Sequence, residues 1–159
     1  MSDCLSLEFV RKKVGHALDH YERIRGELRK THRVREDGTL VVYAGAAGKE
    51  YIVRAESPKG AVGHYEGRKG EEHLVRVEYD HGEVQHYEGP KNEERKVRVE
   101  FSDRQVQHFE GRKGEEHWVR IEYADGPVGH YEGRKGEERL VRTEWPHGEA
   151  QHFEGPRGG

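Results

Sequence analysis

The stretch His64–Gln85, HYEGRKGEEHLVRVEYDHGEVQ, is the clearest copy of a 22-residue unit that occupies most of the chain. Further copies begin at His86, His108, His130 and His152, and a more divergent one can be traced back to Gly38 and Tyr43. A fixed period of this length is typical of repeat proteins, in which one supersecondary unit stacks on the next. Such an array offers a continuous surface, so the sequence predicts structure more sharply than function.

Each unit contains two runs of alternating apolar and polar residues, such as Leu74–Tyr79 and Val84–Glu88. The two runs are separated by Asp80, His81 and Gly82, and a three-residue connection that ends in glycine suits a type I turn followed by a left-handed residue. The next connection, 68–70, also ends in glycine. The sequence therefore predicts a mainly β fold, an elongated antiparallel single-sheet meander of hairpins with roughly ten to twelve strands.

These turns also predict which side chains share a face of the sheet. Val77 should lie opposite Gln85 and Arg76 opposite His86, and the even period keeps each position on the same face in every copy. One face is expected to be apolar. Its predicted rows are Val53, Val75, Val97, Val119 and Val141, and Tyr43, Tyr65, Tyr87, Phe109, Tyr131 and Phe153.

The opposite face is predicted to carry regular polar rows. We interpret these rows as candidate partner-binding residues: Arg54, Arg76, Arg98, Arg120 and Arg142, with His64, His86, His108, His130 and His152. The alternative interpretation is a solvated face laced with cross-strand ion pairs that contribute at most about 1 kcal/mol each. Both interpretations remain open on the sequence.

The N-terminal segment, residues 6–30, is predicted to be an amphipathic helix. Its apolar residues follow a three-four spacing, from Leu7 and Val10 to Ile24 and Leu28. The stripe could pack on the chain's own sheet, form a helix-mediated homodimer, or lie on a membrane. Packing on the sheet is preferred, because a bare aromatic face needs a cover. The predicted domains are therefore 1–35, helix and linker, and 36–159, the repeat array.

One edge of the array should carry a row of cations at successive turns. These are Arg68, Lys69, Lys91, Arg112, Lys113, Arg134 and Lys135. Such a row could meet the phosphates of acidic lipid headgroups. Glutamate pairs such as Glu71 and Glu72 follow each turn and offset the positive charge, so solvated turns are the alternative.

The strings YADGPVGHYEGRKG, from Tyr123 to Gly136, and YEG at Tyr65, Tyr87 and Tyr131 resemble the membrane occupation and recognition nexus (MORN) repeat. The resemblance covers about residues 38–157. It implies a row of antiparallel hairpins and a function as a scaffold that joins proteins, organises cytoskeletal or membrane-contact structures, or touches acidic lipids.

Composition sets broad limits on function. The formal charge is −3 with acids and bases interspersed, which does not favour nucleic-acid binding. Cys4 is the single cysteine and no signal-like apolar run is present, so a cytoplasmic protein, free or peripheral to a membrane, is expected. A protein partner and a homo-oligomer are both compatible with this composition.

The chain shows no pattern that indicates catalysis. It lacks a plausible nucleophile and a phosphate-cradling glycine loop, so we expect no enzyme activity and no cofactor. Equivalent histidines lie two strands apart, roughly 9.6 Å, which is too far for one zinc ion. A histidine pH sensor remains an open hypothesis, because the ordinary pKa of histidine is about 6.5.

Overall fold

The computed structural model describes residues 8–154, and every regular element in this range is a β-strand. The fourteen described strands follow chain order in an antiparallel sheet. Their bounds are β1 Glu8–Val14, β2 Ala17–Ile24, β3 Glu27–Val34, β4 Leu40–Ala44, β5 Tyr51–Glu56, β6 Val62–Glu66, β7 His73–Glu78, β8 Val84–Glu88, β9 Arg95–Glu100, β10 Val106–Glu110, β11 His117–Glu122, β12 Val128–Glu132, β13 Arg139–Glu144 and β14 Ala150–His152. The described residues form two compact units, one ending at Leu74 and the other beginning at Val75.

The predicted N-terminal helix over 6–30 is wrong. Residues 6 and 7 lie outside the described range, and the remainder forms β1, β2 and the start of β3. The chain reverses at Gly15, where φ is 60°, and again at Arg25 and Gly26, where φ is 52° and 84°. These left-handed positions break any helix. The helix-mediated homodimer and the membrane-surface helix are therefore excluded with it.

The apolar stripe of the N-terminal segment belongs to a sheet. Val10 lies directly opposite Tyr21, and Val14 lies opposite Ala17. Residues directly opposite each other in an antiparallel pair share a face. The short loop between β1 and β2 therefore brings these apolar residues to one face of the sheet. An amphipathic helix would also have placed them on one face.

The register predicted for the hairpin of the clearest copy is confirmed. Arg76 pairs with His86, and Val77 pairs with Gln85. The backbone N–H of Tyr79 donates to the carbonyl of Glu83 at 2.9 Å, which closes the three-residue loop. Gly82 in that loop has φ of 97°, as a left-handed loop end requires.

The second strand pairing of the repeat contains a β-bulge that the sequence did not predict. His86 lies opposite Arg98, whereas Tyr87 lies opposite Lys96, so Val97 is the extra residue. The same shift occurs at Val53, Val119 and Val141. The predicted valine row is therefore wrong as a regular row of the ladder, because the bulge moves the preceding residue onto the aromatic face.

Contacts on the aromatic face confirm this consequence of the bulge. The ammonium of Lys96 lies 5.5 Å from the ring centre of Phe109. The ring of Trp118, at the equivalent position, lies 6.0 Å from that of Tyr131. The described residues contain no helix that covers these rings, so they remain partly exposed.

The core is thin. The buried apolar side chains among the described residues are Val41, Val99 and Ile121. Val99 and Ile121 each stand two residues after a bulged valine. Val99 pairs with Gln85 and Gln107, and Ile121 pairs with Gln107 and Gly129. A core of this size leaves much of the fold's stability to turn geometry and backbone pairing.

Two glycines of one turn offer a matched test of that dependence. A Cβ at Gly111 would lie 2.5 Å from the backbone oxygen of Glu115, whereas one at Gly114 would meet nothing within 4 Å. Both residues have positive φ. We expect Gly114→Ala to cost about 1–2 kcal/mol from backbone strain alone, and Gly111→Ala to cost about 1–3 kcal/mol more from the clash. Urea unfolding measures both losses, and equal losses would contradict the close approach.

Candidate functional site

The polar face of the sheet carries an arginine–glutamate pair on successive long strands. The guanidinium of Arg98 lies 2.7 Å from the carboxylate of Glu100, two residues further along the same strand. The corresponding distances are 2.6 Å for Arg76–Glu78, 2.8 Å for Arg120–Glu122, 2.5 Å for Arg142–Glu144 and 3.0 Å for Arg54–Glu56. Each pair holds the guanidinium group against a carboxylate of its own strand.

A histidine of the preceding strand completes the polar unit. Nε2 of His86 lies 3.4 Å from Oε1 of Glu100, the oxygen that Arg98 also contacts. His108 with Glu122 and His130 with Glu144 repeat this distance. The orientation does not make a hydrogen bond at Nε2, so the contact becomes an ion pair only when the imidazole is protonated. We call this Arg–Glu–His arrangement the polar triad.

The ten residues predicted for partner binding fall on this face within each unit. Beyond Val75, the register pairs place the histidines opposite the arginines: Arg76–His86, Arg98–His86, Arg98–His108, Arg120–His108, Arg120–His130, Arg142–His130 and Arg142–His152. In the first unit Arg54 lies opposite His64. The triads are half-exposed, so each pair contributes at most about 1 kcal/mol to stability. Their main effect is to fix a repeating pattern of charge.

The rows extend further toward the N-terminus than the sequence indicated. His20 lies opposite His32, and His32 lies opposite Val42. The two imidazole rings are stacked, with centres 4.1 Å apart and planes 14° apart. His20 stands two repeat periods before His64. That spacing indicates that His20 continues the histidine row. The predicted helix over 6–30 placed His20 in a different element.

The cations of the turn edge are largely engaged by neighbouring turns. Lys69 Nζ donates to the carbonyl of Gly48 at 2.9 Å, and Lys113 and Lys135 donate to those of Asn92 and Gly114 at 3.2 and 3.1 Å. Lys91 occupies the corresponding place in its own turn. Lys69, Lys113 and Lys135 thus each link one turn to the turn of the previous repeat.

The arginines of the same edge are more exposed. Arg68 Nε lies 2.6 Å from Glu71, and Arg112 lies 3.7 Å from Glu115. Arg112 and Arg134 line two open clefts of about 450 and 600 Å³ between successive turns. Acidic Glu93 and Glu115 line the same clefts, so the edge has mixed charge.

A glutamate in each turn has a structural role that the sequence did not reveal. The carboxylate of Glu50 accepts hydrogen bonds from the backbone of Gly48 at 3.0 Å and of Lys30 at 3.2 Å. Glu72 accepts one from Ile52 at 3.4 Å. Ile52 precedes the bulged Val53. Burial alone would raise the pKa of Glu50, but these backbone donors more than offset it and lower the pKa overall.

The first unit also contains a buried ion pair on the apolar face. Asp19 is 1% exposed and lies opposite Arg33, whose guanidinium contacts its two carboxylate oxygens at 2.5 and 2.9 Å. Lys30 adds a third contact at 3.5 Å. Later repeats place Gln85, Gln107 or Gly129 at this position, so the pair is particular to the N-terminal unit.

Comparison of the sequence with protein-family models and with curated proteins gives no match. The structure bears out a repeat protein built of β-hairpins, and the MORN resemblance stays a prediction. Among the described residues, no group of three or more His, Cys, Asp or Glu side chains is placed to hold a metal ion. None of the segments described is a helix that could span a membrane.

The ion pair gives a stability prediction with a defined pH dependence. The hydrogen bond from Arg33 lowers the pKa of Asp19, and the charge of Lys30 lowers it further. We expect Asp19→Asn to reduce the free energy of unfolding by about 2–4 kcal/mol at pH 7, because it leaves a partly buried guanidinium without its counter-charge. The carboxylate's contribution is present above the unfolded pKa of about 3.9 and is lost as the pH falls below it.

Urea unfolding at pH 7, 5, 4 and 3 measures this effect. The gap between the wild type and Asp19→Asn should stay constant down to about pH 5 and shrink at lower pH. The exposed Asp125→Asn variant is the control, with an expected change within about 0.5 kcal/mol. A gap that is independent of pH throughout would contradict the assignment.

The stacked histidines give a second pH prediction. Burial lowers the pKa of His32, and the neighbouring His20 and Arg11 lower it further. The folded chain therefore resists protonation at His32, and stability should fall as the pH drops below about 6.5. His32→Phe keeps an aromatic ring without a titrating group, so it should lose less stability than the wild type between pH 7.5 and 5. Exposed His16→Gln should follow the wild type in the same thermal melts.

Proposed function

We propose that the chain is a non-enzymatic repeat scaffold whose polar face binds a protein partner. The observation that carries this proposal is the recurrence of the polar triad with nearly constant distances, 2.5–2.8 Å from arginine to glutamate and 3.4 Å from glutamate to histidine. A surface with fixed side chains loses less conformational entropy when a partner binds.

The charge pattern indicates the kind of partner. Each triad places a guanidinium and a carboxylate within one strand and an imidazole on the strand beside it. A partner with alternating acidic and basic groups at matching intervals would meet several triads at once. Individual contacts of this kind are weak, but their number would give specificity and a fast association rate.

The acidic-lipid interpretation of the turn edge receives less support. Lys69, Lys113 and Lys135 donate to backbone carbonyls, and glutamates line the clefts beside Arg112 and Arg134. A row of this mixed charge attracts anionic headgroups weakly. We therefore assign partner binding to the polar face and use the turn edge as the control surface.

The test compares two variants that remove the same charge. One carries Arg98→Ala, Arg120→Ala and Arg142→Ala on the polar face, and the other carries Arg68→Ala, Arg112→Ala and Arg134→Ala in the turns. Partners are first identified by cross-linking of the intact chain, and affinity is then measured by calorimetry with the purified partner. We expect at least a tenfold loss for the first variant and less than about a twofold change for the second.

Melting curves of both variants establish that each remains folded. Equal losses would assign binding to general electrostatics, and a larger loss for the turn variant would assign it to the turn edge. Cross-links that map away from the arginine and histidine rows would also overturn the proposal.

A further inference from the structure

β1 lies at the outer edge of the strands described in the first unit. Of the strands described, β1 pairs only with β2. At seven residues it is longer than most strands of the array. Its outward backbone N–H and C=O groups can therefore accept a further strand by β-augmentation.

Both faces of this edge carry cations. Arg11 lies opposite His20, which places Arg11 and its alternate neighbours Phe9 and Lys13 on the polar face. Lys12 lies opposite Asp19, which places Lys12 with Val10 and Val14 on the apolar face. β1 thus carries three consecutive cations, Arg11, Lys12 and Lys13, and its single acid, Glu8, stands at the first position of the strand opposite Arg23.

Within the described residues no ion pair holds the cations of β1, although the ammonium of Lys12 lies 5.1 Å from the ring centre of Tyr21. Asp19 opposite Lys12 is already held by Arg33. Arg11 faces His20, and neither Arg11 nor Lys13 forms an ion pair with the rest of the described chain. All three cationic side chains are exposed. An anionic strand is the kind that this edge attracts.

Comparison with an interior strand points to the same chemistry. Arg11 lies opposite a histidine as Arg76 does, but Lys13 lies opposite Leu18 where Glu78 lies opposite Val84. Inside the array, such a glutamate meets a histidine of the preceding strand, as Glu100 meets His86. A lysine at this position would be complemented by an acid on the incoming strand.

We propose that the outer edge of β1 binds an extended acidic segment of a partner protein, which adds to the sheet as an antiparallel strand. Acidic residues would lie opposite Lys13, Lys12 and Arg11, and apolar residues opposite Val14 and Val10. Phe9, which is 68% exposed, offers one more apolar contact. This binding site lies on the strand edge and does not use the polar triads.

Two other occupants are less compatible with this edge. A second copy of β1 would bring three cations against three cations. The last described strand of another copy, β14, spans only Ala150–His152 and would bring His152 toward Lys13. Lysine on an edge strand also deters aggregation, and that role alone predicts no affinity for an acidic strand.

The test uses the full chain and two dye-labelled peptides, Val-Glu-Glu-Glu-Val-Tyr and Val-Lys-Lys-Lys-Val-Tyr. Fluorescence anisotropy should show binding of the acidic peptide, at least tenfold tighter than the basic one and weakened by added salt. Arg11→Glu with Lys13→Glu should reverse that preference. Arg112→Glu with Arg134→Glu changes the net charge by the same amount in the turns and should leave the preference intact.

Amide hydrogen exchange separates strand addition from simple ion pairing. The acidic peptide should slow exchange at the alternate amides of β1 that point away from β2, with no matching change in the turns. Failure to bind, equal binding of both peptides, or binding without this protection would overturn the proposal. Concentration-dependent self-association that the acidic peptide does not displace would assign the edge to a second copy instead.

Discussion

The structure depends on tight reversals whose backbone requires a residue in the left-handed region. Gly82 closes the loop after β7, and Gly26 closes the loop after β2 with Arg25 beside it. Because loop length fixes register, each reversal determines which residue of the next strand lies opposite which residue of the last. Register then decides the faces. The separation of aromatic rings from polar triads follows from turn geometry, before any packing between layers.

The thin core explains why so many contacts repeat between neighbouring turns. With only Val41, Val99 and Ile121 buried among the described apolar residues, few side chains are enclosed by others. The bulge at Val53 interrupts the ladder, and the carboxylate of Glu72 takes a hydrogen bond from Ile52 beside it. Lys69 supplies a further link to the previous turn. Stability is distributed over nearest-neighbour contacts, as in other repeat arrays.

The sequence predicted what the local turn chemistry controls and failed where that chemistry was ambiguous. The loop at Asp80 to Gly82 carries its own signature, and the register of Arg76 with His86 followed from it. The N-terminal strands are not predicted, because their apolar residues also satisfy a helical spacing. Gly15 and Gly26, at the two reversals, are the only glycines of the segment. The bulge at Val97 was missed because Lys96, Val97 and Arg98 alternate like any regular strand.

The polar arrangement was partly predictable for the same reason. Cross-strand partners such as Arg98 and His86 followed from register, whereas the shared oxygen of Glu100 depends on rotamers that no spacing reveals. The N-terminal unit departs most from the repeat. It replaces a neutral position of later copies by Asp19 and a glutamate by Lys13. Interior repeats must match the neighbours on both sides, but β1 has a described neighbour on one side only. Its residues are therefore free to specify a partner that differs from the chain itself.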